Sequence, residues 1–391
     1  MTFWTLAIVG LAGCAGPLLA WRAGWHLPVV LGELIVGILL GPTAVHTLHS
    51  TDRTFTFLAD MGFALIMFVA GSHVPVRDAR LRSALGVGAA RAAVVGIVGV
   101  ALGAAISATF HTGHAFLYAV LIASSSAALV LPITDSLRLQ GPDVLRTLAQ
   151  VAVADTVCIV ALPLAIDPKH AGRAALGALA VLLCAAALFL VLREVERRHW
   201  RQRLHRVSES RKFALELRIN LTILFALAAL AVHLQISIML AGFSFGLAVA
   251  GIGEPRRLAK QLFAVTEGFL GPLFFVWLGA SINLRDLGHH PSFIVLGLLL
   301  GAAAVAAHAV LRLLGQPLAL TALAAAQLGV PVAAATVGSQ LHILRPGESA
   351  ALLLGALLSI AVAIAGAAIS ARQAAAAPVS GPPGTGPVGH G

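Results

Sequence analysis

Asp155 is the single acid in an apolar run from about residue 144 to 166, eleven residues from either end. At 1.5 Å of rise per residue it stands roughly 16 Å from each end, near the middle of a hydrocarbon layer about 30 Å thick. An ionisable side chain at that depth is expensive, and by default it marks a route for ions or protons; the other use is an acid kept neutral by a helix–helix hydrogen bond. Other polar groups share its depth. Thr156 follows directly, Ser124, Ser125 and Ser126 interrupt the preceding apolar run before Pro132, and Gln327 stands beside Gly329 and Pro331 in a later one. Carboxylate, hydroxyl and freed carbonyl oxygens are hard donors that replace the water around an alkali ion.

The elements that hold these residues follow from composition. The chain has 391 residues, 59% hydrophobic and 11% charged, with a mean hydropathy of +0.94. That excludes a soluble domain and reads as an all-α polytopic membrane protein. The runs reach about 20 residues without two-residue alternation, which excludes barrel strands. A net charge of +10 raises the question of nucleic acid, but the basic residues sort by loop, so no nucleic-acid partner is expected. Cys14, Cys158 and Cys184 all fall in apolar runs and form no disulfide framework. Leu11 to Cys14 looks like a lipoprotein cleavage box, yet no basic residue precedes it, and the expectation is an uncleaved first helix. No metal-ligand spacing, phosphate loop or nucleophile constellation is present, so neither an enzyme nor a cofactor is expected.

Apolar runs predict about thirteen spans, near 3–20, 27–45, 54–74, 84–109, 115–133, 144–166, 172–192, 214–232, 235–252, 263–283, 292–314, 317–341 and 350–370. Alternating sides across them collects 20 Lys and Arg on one side and five on the other, with Arg91 inside span 4. That asymmetry places the N-terminus outside and the C-terminus in the cytoplasm. The basic segment Arg193 to Lys212 divides the chain into residues 1–192, a first repeat plus connecting helix, and residues 214–370, a second repeat. Residues 193–213 read as a cytoplasmic linker drawn to anionic headgroups, and 371–391, rich in Pro and Gly, as a disordered tail.

Span 5 carries the serine cluster and Pro132; span 12 carries Gly329 and Pro331. These are the fifth helices of two six-helix units. Paired interruptions at matching positions point to a binding site between inverted repeats, where crossed broken helices bring half-helix ends beside Asp155. Glu33, Asp60 and Glu267 are further acids inside spans, Asp60 and Glu267 near span ends. His308 reads as a packing histidine near the inner end of span 11, so no basic partner is expected from spans 11 or 12.

The stretches Leu27 to Pro42, Leu58 to Gly71 and Gly271 to Ile282 resemble the bacterial monovalent cation:proton antiporters, the sodium/hydrogen exchanger and glutathione-gated potassium efflux group. The likeness covers about residues 3 to 370. It implies a homodimer of protomers with thirteen or so helices, each with a dimerisation part and a core of crossed broken helices. Members carry two adjacent acids, or an amide and an acid, on the sixth helix. An ungapped reading puts Asp155 on the first position and Thr156 on the second, and a shift of one residue makes Asp155 the second. The family's base on the eleventh helix falls near Ala302 or Ala303, and its Arg-Gly-Glu-like motif on the twelfth is replaced by Gln327-Leu328-Gly329.

The combined expectation is a secondary-active antiporter of the bacterial plasma membrane, exchanging Na⁺ or K⁺ for H⁺. Asp155 binds the two in competition, with Thr156, Ser125 and Ser126 as cation ligands and Ser124, Gln327, Glu33 and Asp60 in support. The alternatives are an organic-solute transporter on a similar inverted-repeat scaffold and a transport-inactive derivative acting as a sensor. The topology is testable with the native cysteines replaced by serine. Ser208→Cys and Ser380→Cys will resist a membrane-impermeant maleimide applied to intact cells and react after permeabilisation.

Overall fold

The structure is a computed structural model. It describes residues 1–21, 29–72, 74, 79–166, 168, 171–197, 215–234, 236–253, 256–282, 285, 288 and 291–376, and among these it contains helices and no strands. All thirteen expected spans are present as helical stretches. Span 1 is α1 (Phe3–Gly13) with α2 (Ala15–Ala20), span 2 is α3 (Val29–Leu40), span 3 is α4 (Arg53–Ser72) and span 4 is α5 (Ala79–Phe110). Span 5 is split into α6 (Ala115–Ala123) and α7 (Ala127–Ser136); spans 6 to 9 are α8 (Pro142–Ile166), α9 (Ala171–Arg197), α10 (Leu215–His233) and α11 (Ile238–Ile252). Span 10 runs through α12 (Arg256–Val265), a π turn (Thr266–Leu270) and α13 (Gly271–Ser281), and span 11 is α14 (Pro291–Ala309) with a 3₁₀ turn (Val310–Leu314). Span 12 is split into α15 (Leu318–Ala324) and α16 (Gly329–Gln340), and span 13 is α17 (Glu348–Ala376).

Two boundaries differ from expectation. Helix α9 continues to Arg197, into the basic segment, and α17 continues to Ala376, because neither stretch holds a Gly or Pro to stop it. The expected linker beyond 197 and tail beyond 376 lie outside the described residues.

The spans sort into two bundles by contact. Spans 4, 5, 6, 11, 12 and 13 pack together, and spans 1, 2, 3, 7, 8, 9 and 10 form the other group. Exchanging the two six-span units maps the span 3–span 9 contact onto span 10–span 2, and span 4–span 6 onto span 11–span 13. Both exchanged seams are made by glycine. A Cβ at Gly246 would stand 2.2 Å from the Phe68 carbonyl oxygen, and one at Gly279 would stand 2.3 Å from that of Leu34. Helix association in lipid lacks a hydrophobic drive between helices, so such close approach supplies the packing. Large apolar side chains such as Trp4, Ile97 and Leu176 are exposed on the outer surface, as acyl chains in place of water require.

One polar hub ties the first bundle together away from its centre. The Glu348 carboxylate, fully buried at the start of span 13, accepts from the Tyr118 hydroxyl at 2.6 Å and the Arg345 amide at 2.9 Å. His114 Nδ1 stands 2.6 Å from the same carboxylate, and the Arg345 guanidinium donates to the His111 carbonyl. The start of span 5 is therefore pinned to the start of span 13.

The glycine seams predict a stability contrast. Gly246→Ala and Gly279→Ala each force an overpacked backbone apart and cost about 1–3 kcal/mol, read as a lowered thermal midpoint of the purified protein. Gly96→Ala, where a Cβ would meet nothing within 4 Å, leaves the midpoint unchanged.

Candidate functional site

The two broken helices meet at their breaks. Residues 124–126 are extended, with Ser124 at φ −72° and ψ 149° and Ser126 at φ −118° and ψ 105°. The second break spans 325–328 and ends on Leu328 at φ −145° and ψ −66°. The prolines are not at the breaks themselves. Pro331 lies in the first turn of α16, where a helix needs no donor, and Pro132 lies inside α7. The serines, which can bond a freed backbone locally, hold the first break open instead.

Each break then caps the other broken helix. Ser125 Oγ donates to the Ala324 carbonyl at 2.8 Å, the last residue of α15. Gln327 Nε2 donates to the Leu121 carbonyl at 2.6 Å, in the last turn of α6. Carbonyls freed where two helices stop in mid-membrane are thus satisfied by side chains from the opposite break. Ser124 Oγ donates within its own helix end, to Leu121 at 2.8 Å, and the Gln327 amide nitrogen donates to Ser359 Oγ of span 13 at 3.2 Å.

Asp155 reaches this crossing from span 6. It is 6% exposed, and its Oδ2 accepts from the Ala127 amide at 2.9 Å. Ala127 is the first residue of α7, so the carboxylate sits on the positive end of a half-helix, where a charge-assisted bond and the helix dipole both favour the anion. Ser126 is the N-cap residue of α7, but its side chain makes no capping bond, which leaves that hydroxyl one residue before the amide that holds the carboxylate and uncommitted to the helix.

The remaining expected residues separate. Thr156 Oγ1 donates to the Ala152 carbonyl at 2.7 Å in its own helix and lines an apolar crevice between spans 6, 7 and 9. The structure therefore turns the Thr156 hydroxyl away from the crossing, because adjacent residues on a helix point about 100° apart. Asp60 lines a crevice of about 190 Å³ between the two bundles, with Ser237 and Thr336. Glu33 lies in a third place, among spans 1, 2 and 10. None of the three joins Asp155 in a hydrogen bond or ion pair among the described residues.

His308 reaches the crossing as a buried histidine with both ring nitrogens partnered. The imidazole is fully buried, with Nδ1 2.9 Å from the Ala304 carbonyl and Nε2 3.2 Å from Ser125 Oγ. A carbonyl can only accept, so in that bond Nδ1 carries the proton. Position along a span sets depth but not which neighbour fills the gap; the break in span 5 turns Ser125 toward span 11. The signal available in sequence was simply an ionisable residue inside an apolar run.

A family profile described as sodium/hydrogen exchanger, transmembrane, matches residues 6–374. The Bacillus subtilis protein YjbQ is 24% identical over 377 residues, which is 91% of this chain and 61% of that protein. The chain thus spans about three-fifths of that relative's length. The Na⁺/H⁺-K⁺ antiporter GerN of Bacillus cereus is 26% identical over 68% of this chain and 69% of its own. The glutathione-regulated potassium-efflux system protein KefC of Klebsiella pneumoniae is 28% identical over 77% of this chain and 48% of its own. Among solved structures, the sodium proton antiporter MjNhaP1 of Methanocaldococcus jannaschii superposes with a TM-score of 0.69 at 15% identity, covering 95% of this chain and 98% of the other, which shows a shared fold. With the profile spanning nearly the whole membrane part, the chain belongs to the sodium/hydrogen exchanger transmembrane family.

Proposed function

We propose that the protein is a secondary-active antiporter that exchanges Na⁺ or K⁺ for H⁺ across the bacterial plasma membrane, as a homodimer with its N-terminus outside and C-terminus in the cytoplasm. The observation that carries this reading is the Asp155 carboxylate, buried on the N-terminus of a half-helix at the crossing of two broken spans. One oxygen is held by the Ala127 amide; the other is open to a cation or a proton. Deprotonated, Asp155 holds a partly dehydrated alkali ion together with the Ser126 hydroxyl and an oxygen lone pair of Ser125. Protonated, it loses the charge that binds the ion and releases it. Thr156 contributes only in a state in which its hydroxyl leaves the Ala152 carbonyl.

Alternating access comes from movement between the bundles. The crossing belongs to the bundle of spans 4–6 and 11–13, and the crevice that contains Asp60, Ser237 and Thr336 lies where this bundle meets the other. An acid in such a crevice concentrates cations at its mouth. Members of this family that are named for Na⁺/H⁺ or K⁺ transport support the class of cargo without choosing between the ions.

Three mutational outcomes test the assignment. Asp155→Asn keeps the shape but cannot cycle a proton, and it abolishes cation-driven pH change in proteoliposomes while the protein still elutes as a folded species; retained exchange would remove Asp155 as carrier. Ser126→Ala removes one oxygen ligand and raises the KM for the cation roughly tenfold, as loss of a hydrogen bond or ligand to a charge predicts. Thr156→Ala leaves KM within about twofold, because that hydroxyl is spent within its own helix.

A further inference from the structure

Spans 1, 2 and 10 line a cavity of about 260 Å³ that opens on the outer surface of the bundle that does not contain the crossing. Its walls are largely apolar, with Val9, Val29 and Phe269 among them, yet two carboxylates line it. Glu33 on span 2 is only 3% exposed and lines the cavity, and it takes part in no ion pair among the described residues. Glu267 on span 10 lines the same cavity, close enough for the two charges to repel.

A local fault in span 10 puts Glu267 on the π turn. Pro272 has no amide to give the Gly268 carbonyl, and the ladder slips so that the Gly271 amide bonds Thr266, five residues back. Thr266 opens that turn with a buried hydroxyl that lacks a partner among the described residues. A second acid thereby shares the cavity with the buried Glu33. Glu267 is exposed at the mouth of the cavity and Glu33 is buried in it, so a cation between them would meet negative charge from both.

We infer that Glu33 and Glu267 form a second monovalent-cation site, separate from the crossing, that takes an alkali ion with part of its water. The volume suits this, since a water occupies about 30 Å³ and the cavity holds an ion with several of them. Mg²⁺ fits poorly, since it dehydrates reluctantly and demands a near-octahedral oxygen set that these apolar walls do not supply. The site does not depend on Asp155 being the carrier.

The test is equilibrium binding of radioactive sodium and rubidium to the purified full-length protein in lipid nanodiscs. Asp155→Asn, which empties the crossing of its carboxylate, retains a saturable site. Adding Glu33→Gln weakens that remaining binding by about tenfold or more, and Glu33→Asp restores part of it. Glu267→Gln weakens it too, and serves as the second variant if Glu33→Gln fails to fold. Absence of saturable binding in Asp155→Asn, indifference to both glutamate variants, or stronger competition by Mg²⁺ than by Na⁺ would overturn the proposal. Flux retained by Asp155→Asn would instead defeat the carrier assignment and leave this binding result standing.

Discussion

The reciprocal capping of the two breaks is the constraint on which the rest of the site depends. A helix that stops in mid-membrane leaves carbonyls and amides with no water to satisfy them, and each unsatisfied group costs several kcal/mol. Ser125 answers the Ala324 carbonyl and Gln327 answers that of Leu121, so neither broken span can be satisfied without the other. The amide of Ala127 is the freed donor at the start of α7 that Asp155 takes. The carboxylate is therefore a structural cap through one oxygen, and in the exchange proposed above the other oxygen is the one that takes the ion or proton.

Stability and movement are divided between the bundles in a way that suits this. Glycine seams bring spans 2 and 10, and spans 3 and 9, to backbone contact within one bundle, which leaves little freedom there. The other bundle is fastened by polar bonds at its centre and by the Glu348 hub at one end. Between them lie crevices, one holding Asp60. Two internally rigid bodies with imperfect contact between them are what a rocking or sliding transport cycle requires. The acids of spans 2 and 10 sit in the body that does not carry the crossing.

Much was legible in the residue order because hydrocarbon imposes simple rules. Thirteen spans, two six-span units and a mid-membrane acid follow from apolar run length and from Lys and Arg asymmetry. The breaks were readable too, since three serines in a row and a Gly-Val-Pro string cannot continue a buried helix at no cost. Their location was read less well: prolines suggested the break points, but Pro331 falls where a helix has no bond to lose and Pro132 is carried inside α7.

What the order of residues determined by itself is depth: which groups lie at the level of Asp155. Only the tertiary structure decided which of those groups meet. Thr156, adjacent to Asp155 in the chain, is rotated by the helix into an apolar crevice, while His308, distant by 153 positions, is brought to Ser125 by the crossing. Glu33 and Glu267, far apart in sequence, share one cavity because a glycine seam docks span 2 against span 10. A one-dimensional pattern carries helical period and burial, which are local, whereas the azimuth of one helix against another is set by how all of their side chains pack at once.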